Sequence, residues 1–310
     1  MSLEADFLES GLELVGNQPL AKYTYMKVGG PAEYFNVAKN SADLVKAIRI
    51  AYKNNISFRV IGGASNIVVS DSGFAGLVIK NQTSGFNLNE TGRVQVDSGL
   101  GLARFIMQTG RQGWGGLENL YGIPGSVGGA VYGNAGAHGV DISDFLIEVE
   151  LIDSTGQVTS HQKDWLEFDY RSSKLKRDQG NSVILSVTFQ LDKVEPNQSL
   201  EQIQQHNKWR ITHQPVGQPC CGSVFKNPSH GHGDRQNANS AGSLLDQAGA
   251  KQLSVGSAHP SEMHANFVVH DGTATASQIR QLFLKMKDLV QQKYGVTLDE
   301  EIEYFGEWGE

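Results

Sequence analysis

The chain has 310 residues, of which 39% are hydrophobic and 19% charged, and its formal net charge is -7. This length allows two or three packed subdomains, and the acidic balance offers no basic stripe for a nucleic-acid backbone, so we expect no nucleic-acid partner. Because the sequence has no run of about 18 apolar residues and its acidic amino terminus lacks a signal-peptide pattern, we expect a cytoplasmic protein with no membrane partner.

The first third of the chain has the pattern of a strand, a helix and a second strand. The letters EYFNVA at 33–38 predict the first strand, and FRVI at 58–61 predicts the second. Between them a helix begins at Ser41, with its apolar residues on one face: Leu44, Val45, Ile48 and Ala51. This βαβ unit ends in GGASN at 62–66, which we call the GGASN loop.

Strands are also predicted at 76–80 and 93–97, and a helix at 102–111. Further on, the apolar runs 146–152 and 183–191 flank the turn signal DSTG at 153–156, which predicts a strand-rich, partly antiparallel region.

Two capping-box patterns predict helices in the last third. Ser199-x-x-Gln202 is expected to open a helix close to a domain boundary at 195–200, and Thr275-x-x-Gln278 to open a helix that Gly295 closes. The letters VTLDEEIEYFG at 296–306 predict a terminal strand. The adjacent Cys220 and Cys221 are expected to be reduced thiols, because neighbouring alpha carbons lie ~3.8 Å apart, closer than ordinary disulfide geometry accepts.

The segment YGIPGSVGGAVYGNAGAHG at 121–139 contains seven glycines and no formally charged side chain. We call it the glycine-rich segment. Successive exposed N–H groups form a nest for anionic oxygens, such as a nucleotide pyrophosphate. The spacing matches neither the Rossmann nor the P-loop pattern. Both this segment and the GGASN loop could simply be tight-turning loops, but two of them, one at a strand end, favour phosphate binding.

Eight segments occur in an order and at separations that are highly specific as a set. They are TYMKVGGPAEYF (24–35), VIGGASNIVVSDSGFAGLVI (60–79), GLENLYGIPGSVGGAVYGNAGAHG (116–139), DYRSS (169–173), CGSVFKNP (221–228), AGSLLDQAGAK (241–251), MHANFVVH (263–270) and LDEEIEYFG (298–306). The chain thereby resembles the UDP-N-acetylenolpyruvoylglucosamine reductase (MurB) family over nearly its whole length. Since no long insertion separates DYRSS from the strand at 183–191, it looks like the shorter, type II branch.

The resemblance implies an α+β flavoprotein. The expected architecture is a two-subdomain FAD-binding fold of the vanillyl-alcohol-oxidase (PCMH) type, with subdomains at 1–72 and 73–197, followed by a C-terminal α+β substrate-binding subdomain at 198–310 whose terminal strand carries a catalytic glutamate. The two loops would then bind FAD through these residues: Gly62, Gly63, Ala64, Ser65, Asn66, Gly122, Pro124, Gly125, Ser126, Gly128, Gly129, Asn134 and Gly136.

The implied reaction is the NADPH-driven reduction of UDP-N-acetylglucosamine enolpyruvate to UDP-N-acetylmuramate in peptidoglycan precursor synthesis. By resemblance, Arg171 polarises the substrate carboxylate, Ser223 donates a proton and Glu301 assists the enolate, with Glu303 as the alternative to Glu301. The implied substrate contacts are Tyr170, Lys226, Asn227, His264 and Asn266.

Two rival functions stay open at this point. One is a sugar or aldonolactone-type flavin oxidase on the same fold, and the other is a flavin- or nucleotide-sugar-binding protein without turnover. The chain departs from the family pattern at Ala64 and His270 and in a longer segment at 229–240. In that segment His230, His232 and Asp234 could form a metal cluster, but a surface loop is favoured and no metal is expected. The oligomeric state is left open.

Overall fold

The fold is known from a computed structural model that describes residues 2–178, 182–228 and 240–309. The chain divides into two compact units. The first unit comprises Met1–Gln18, Ala32–Gly63 and Ala75–Asn207, and the second comprises Pro19–Pro31, Ala64–Phe74 and Lys208–Glu310. Residues 19–31 and 64–72, expected in the first subdomain, therefore belong to the unit that contains the carboxyl-terminal segment. The three-subdomain division stays a prediction.

Helices are interspersed among runs of short strands along the chain. The α-helices are α1 (Leu3–Ser10), α2 (Ser41–Lys53), α3 (Leu102–Arg111), α4 (Val127–Tyr132), α5 (Lys174–Asp178), α6 (Pro196–His213), α7 (Ala241–Ala248) and α8 (Ala276–Tyr294). The strands are β1 (Val15–Pro19), β2 (Pro31–Ala38), β3 (Phe58–Ile61), β4 (Ile67–Val69), β5 (Phe74–Asn81), β6 (Phe86–Leu88), β7 (Arg93–Asp97), β8 (Trp114–Gly115), β9 (Gly136–Ala137), β10 (Val140–Asp141), β11 (Leu146–Ile152), β12 (Val158–Gln162), β13 (Val183–Gln190), β14 (Asp192–Lys193), β15 (His259–Ser261), β16 (His264–Val269) and β17 (Glu303–Phe305). Among the described residues, no helix is long and apolar enough to cross a membrane.

The first unit contains two larger sheets, each with its own core. One sheet has the order β1-β2-β5-β3, in which β3 and β5 are parallel. Helix α2 contributes Leu44, Ala47, Ile48 and Ala51 to the core of this sheet, an apolar stripe at helical spacing. The other sheet, β12-β11-β13-β7-β6, is antiparallel throughout. Its core includes side chains of α3 and α4.

The described part of the second unit contains two short strand pairs and the helices α7 and α8, together with the end of α6. Strands β4 and β17 pair in parallel, and β15 and β16 pair antiparallel. The core of this unit includes Phe225 together with Phe283, Met286 and Val290 of α8. The four-residue spacing from Met286 to Val290 and the three-residue spacing from Phe283 to Met286 place these side chains on one face of the helix.

Three sequence predictions of secondary structure are corrected. Helix α6 begins at Pro196 rather than at Ser199, because proline is tolerated in the first helical turn. The Ser199 hydroxyl is buried and donates to Glu118 (2.6 Å) instead of capping a helix. The predicted terminal strand at 296–306 is reduced to β17, and the DSTG turn leads into β12, a strand that the sequence analysis missed.

Candidate active site

The first two residues of the GGASN loop, Gly62 and Gly63, lie next to the glycine-rich segment in the first unit. Gly62 and Gly63 follow β3, and a Cβ atom on Gly63 would lie 2.5 Å from the Cα of Gly125. A Cβ on Gly62 would overlap the Oγ of Ser126. Lys80 of β5 donates a hydrogen bond from its Nζ to the carbonyl of Gly62. The close contact between the loops therefore requires glycine at 62 and 63.

The glycine-rich segment has features that fit a bound FAD. A Cβ on Gly129 or on Gly133 would meet its nearest protein atom at 3.6 Å, an ordinary contact, so the described protein atoms do not require glycine there. The Oδ1 atom of Asn134 is buried and has no hydrogen-bond partner among the described residues. A group that approaches this backbone closely and carries hydrogen-bond donors, as a flavin dinucleotide does, would account for both observations.

The DYRSS turn, at residues 169–173, is fastened to the glycine-rich segment. Asp169 and Ser172 exchange two main-chain hydrogen bonds of 3.1 Å, which places Arg171 in a tight turn with a φ of 52°. The Asn134 amide donates to the carbonyl of Asp169 (3.0 Å), and the Ser173 hydroxyl donates to that of Tyr132 (2.7 Å). The predicted carboxylate-binding arginine and the predicted cofactor segment are thus brought together.

The guanidinium of Arg171 is half-buried among main-chain carbonyls. Its Nη2 donates to the carbonyl of Gly136 (2.5 Å) and its Nη1 to that of Asn134 (3.4 Å). Nη1 also lies 3.8 Å from Oδ1 of Asp141, and the guanidinium carbon lies 5.2 Å from the ring centre of Tyr170. A guanidinium carries five N–H donors in a rigid fork, a geometry that matches main-chain carbonyls and carboxylates.

In the second unit, Ser223 and Glu301 lie on neighbouring antiparallel segments. The N–H of Glu301 donates to the carbonyl of Val224 (2.8 Å), and Phe225 pairs with Glu300. On the other side of the same segment, Ser223 pairs with Phe267 of β16. The predicted proton donor and the predicted enolate-assisting carboxyl are therefore positioned by one set of main-chain hydrogen bonds.

Two asparagines hold these segments in place. Asn266 is buried, and its side chain accepts from the N–H of Phe225 (2.9 Å) and donates to its carbonyl (2.8 Å). Asn66 donates from its side chain to the carbonyl of Glu301 (3.0 Å). These contacts give both residues a positioning function, while the predicted substrate contact of Asn266 and cofactor contact of Asn66 stay predictions.

The other predicted substrate residues of the second unit also make main-chain contacts. The Asn227 side chain accepts from the N–H of Ala241 (3.0 Å), Nδ1 of His264 accepts from that of Asn266 (3.2 Å), and the main chain of Lys226 donates to Asp299 (2.8 Å). These bonds fix the positions of the three residues, but they do not test substrate contact.

The choice between Glu301 and Glu303 stays open. Glu301 lies outside β17, so the expected strand alternation does not apply to the pair. Burial raises the pKa of the Cys221 thiol, and electrostatic interaction with Cys220 and Glu301 raises it further.

Sequence reasoning missed two charged residues of the first-unit site. Lys80 at the GGASN loop and Asp141 beside Arg171 belong to no pattern that marks them, since each becomes a neighbour only after folding. The potential metal ligands His230, His232 and Asp234 lie outside the described residues. Within the described ranges, no group of three or more His, Cys, Asp or Glu side chains could hold a metal ion.

Comparisons with known families match two parts of the chain. Residues 32–161 match the family described as FAD binding domain. Residues 214–305 match the family described as UDP-N-acetylenolpyruvoylglucosamine reductase, C-terminal domain. The predicted combination of a flavin-binding part and a C-terminal substrate domain is thereby confirmed.

Individual relatives match nearly the whole chain. The UDP-N-acetylenolpyruvoylglucosamine reductase of Bacillus subtilis is 36% identical over 95% of this chain and 94% of its own length. That of Gloeobacter violaceus is 39% identical over 93% and 94%. The crystal structure of the reductase from Thermus caldophilus superimposes with a TM-score of 0.77 at 31% identity, covering 95% of this chain and 98% of that one.

Proposed function

Because the chain belongs to the UDP-N-acetylenolpyruvoylglucosamine reductase family, we propose that it reduces UDP-N-acetylglucosamine enolpyruvate to UDP-N-acetylmuramate, with bound FAD and with NADPH as electron source. The observation that carries the proposal is that Arg171 is hydrogen-bonded to the glycine-rich segment, which lies within the residues 32–161 that match FAD-binding domains. We place the reaction in the cytoplasm, where NADPH is available as a reductant.

In the first unit, the main chain provides the cofactor site. Gly129 and Gly133 leave space beside α4, and the buried Oδ1 of Asn134 provides an acceptor. FAD, when bound, supplies the hydride chemistry. The protein orients the cofactor, excludes water from it and stabilises the charge that develops on the substrate.

Arg171 is the group that stabilises this charge. Addition of a hydride to the enolpyruvyl methylene carbon creates negative charge on the adjacent carbon and on its carboxylate. A guanidinium is permanently charged and can bind the carboxylate through two parallel N–H donors. Since the carbonyls of Gly136 and Asn134 already fix one side of Arg171, little reorganisation is needed during the reaction.

Ser223 and Glu301, which belong to the second unit, are the other two groups that the proposed reaction uses. The Ser223 hydroxyl donates a proton to the carbon next to the carboxylate, which consumes the enolate and completes the reduction. The main chain of Glu301 is hydrogen-bonded to Val224 and Asn66. These bonds fix the backbone position from which the Glu301 carboxyl assists the same proton transfer.

Anaerobic reduction tests the proposal. The purified protein is expected to be yellow with FAD, to bleach on addition of NADPH, and to regain its colour when the enolpyruvyl UDP-sugar is added. A colourless protein that takes up no FAD contradicts the proposal. A flavin that NADPH does not bleach indicates a binding protein without turnover, and reoxidation by oxygen but not by the UDP-sugar indicates an oxidase.

A further inference from the structure

A short hairpin places Asp141 beside the carbonyl that binds Arg171. Strands β9 and β10 pair antiparallel, with Asp141 opposite Gly136. His138 and Gly139 form the two-residue turn, with φ angles of 53° and 82°, as a type I′ turn requires. The register of this hairpin therefore fixes the Asp141 side chain next to the loop position that accepts a hydrogen bond from the guanidinium.

Gly136 makes room for both charged groups. A Cβ atom at this position would overlap Oδ1 of Asp141 and would lie 3.0 Å from Nη1 of Arg171. The two side chains approach to 3.8 Å, with exposed fractions of 18% for Arg171 and 16% for Asp141. Because both groups are largely shielded from water, their attraction is screened less than that of a surface ion pair.

We infer that Asp141 is a positioning residue for the proposed reaction, one that holds the Arg171 guanidinium in the orientation in which it binds the substrate carboxylate. This inference rests on the proposed function of Arg171. The φ of 52° at Arg171 is a conformation that surrounding contacts must maintain. Main-chain carbonyls accept from two of its nitrogens, Nη1 and Nη2, and the Asp141 carboxylate lies beside Nη1.

Asp141 could instead only cap a helix, and substitutions distinguish this function from the positioning of Arg171. Asp141 directly precedes a short 3-10 helix, Ile142–Asp144, and its N–H donates to Oδ2 of Asp144 (2.9 Å). An asparagine at 141 keeps a side-chain acceptor that suits a cap but removes the charge. Asp144→Asn is the matched control, because it makes the same change of charge on the capping partner, three residues away.

The two half-reactions separate these possibilities. Asp141→Asn is expected to slow reoxidation by the enolpyruvyl UDP-sugar about tenfold, and to weaken binding of that substrate in a titration followed by flavin absorbance. Reduction by NADPH is expected to change less than about twofold, since it involves no substrate carboxylate. Asp141→Glu is expected to recover part of the loss. Asp144→Asn is expected to leave both half-reactions unchanged.

A double-mutant cycle tests whether Asp141 acts through Arg171. In an Arg171→Ala background, Asp141→Asn is expected to add less than about twofold to the loss in reoxidation. The inference is overturned if Asp141→Asn equals wild type, if it slows both half-reactions equally, or if its effect is fully retained without Arg171.

The failure of this inference can be told apart from a failure of the proposed function. A wild-type protein that reduces the UDP-sugar while Asp141→Asn does so equally well contradicts the inference alone. If the wild type itself has no such activity, thermal unfolding tests the same contact. Asp141→Asn should then lower the melting temperature in the wild-type background and lower it no further once Arg171 is alanine. Additive losses would overturn the inference.

Discussion

At the scale of single residues, Arg171 shows how much of the site depends on contacts distant in sequence. Its positive φ of 52° is uncommon for a residue other than glycine. The letters DYRSS alone do not show how Arg171 is held, because its guanidinium donates to carbonyls some 35 residues earlier in the chain. Resemblance predicted which arginine to consider, whereas the structure explains how that arginine is held.

Ser223 is expected to be needed for proton delivery and for no earlier step. Ser223→Ala should keep FAD, reduction by NADPH and binding of the UDP-sugar, because none of these requires the hydroxyl. Reoxidation of the flavin by the substrate should fall at least about 100-fold, as expected when a positioned proton donor is lost. Ser223→Cys should recover part of the rate. Stopped-flow measurement of both half-reactions checks this prediction.

Cys221 is not a suitable substitute donor if Ser223→Ala remains active. Gly222 has a φ of 82°, so the segment is not extended and the two side chains need not share a face. Cys221 is also 1% exposed, and burial raises the pKa of its thiol. Turnover of Ser223→Ala within a few-fold of wild type would therefore move the donor to a water or to Glu301. Cys220→Ala is a control that should change nothing.

His270 explains one departure from the family pattern. Its ring is buried, with Nε2 2.7 Å from the carbonyl of Met26 and Nδ1 accepting from the N–H of Gly272 (3.0 Å). The ring therefore carries its proton on Nε2. The sequence shows the histidine, but not the two main-chain groups that its ring contacts.

At the scale of elements, Asp71 and Thr275 together cap α8. Oδ1 of Asp71 accepts from the N–H of Ala276 (2.8 Å) and Oδ2 from that of Ser277 (2.9 Å), while the Thr275 hydroxyl accepts from Gln278 (3.2 Å). Burial alone would raise the pKa of Asp71, but these bonds and the Ser277 hydroxyl outweigh it and lower the pKa. A carboxylate at a helix amino terminus also interacts favourably with the helix dipole.

Asp71→Asn is expected to destabilise the protein in a pH-dependent way. Since the folded pKa is depressed, the contribution of the carboxylate is fully present above the unfolded pKa of about 4 and is lost as the pH falls through the lower folded value. At pH 7 the loss should be about 1 kcal/mol. Urea unfolding from pH 7 to pH 3 should show the wild-type advantage shrinking only at the acidic end.

The control for this cap prediction lies on the same helix. Asp288 is exposed, and Asp288→Asn makes the same change of charge away from the amino terminus of α8. It should have no measurable effect at either end of the pH range. An Asp71→Asn protein as stable as wild type at pH 7, or a loss that does not depend on pH, would mean that the Asp71 charge does not contribute to the cap.

The two capping boxes show where sequence patterns succeed and where they fail. The Thr275–Gln278 box is formed as predicted and opens α8. The Ser199–Gln202 pattern fails because Ser199 finds a buried carboxylate, Glu118, in a distant part of the first unit. Strand β12 was missed because its letters, VTSHQ, contain one strongly apolar residue. A pattern predicts local structure reliably only where no tertiary partner competes for the same side chain.

At the scale of the whole molecule, the order of motifs predicted the family, but not which segments share a compact unit. A Cβ on Gly73 would overlap the carbonyl of Pro31, and one on Gly306 would overlap that of Gly73. These close contacts gather chain segments from both ends of the sequence in the second unit. Glycines in a sequence indicate close approaches of the backbone, but the sequence does not say which segments meet.

We expect bound FAD to stabilise the whole protein through its contact with α4. Substitutions at two glycines of this helix distinguish the effect of FAD from the effect of packing within the protein. A Cβ on Gly128 would lie 2.7 Å from the Cβ of Ser98, so Gly128→Ala should destabilise the protein even after FAD has been removed. Gly129 has room for a Cβ, and alanine suits a helix better than glycine by ~0.5–1 kcal/mol, so Gly129→Ala should leave the FAD-free protein as stable as wild type or more so.

In the FAD-bound protein, Gly129→Ala should be less stable than wild type. A ligand that binds only the folded state stabilises it by about 2.7 kcal/mol at 100 times its Kd. If the cofactor occupies the space beside Gly129, Gly129→Ala should raise the Kd for FAD at least about tenfold and lose about half of that gain or more. Fluorescence titration of the FAD-free protein gives the Kd, and urea unfolding with and without FAD gives the gain. Unchanged FAD affinity in Gly129→Ala would mean that this face of α4 does not contact the cofactor. The presence of glycine at position 129 would then need a different explanation.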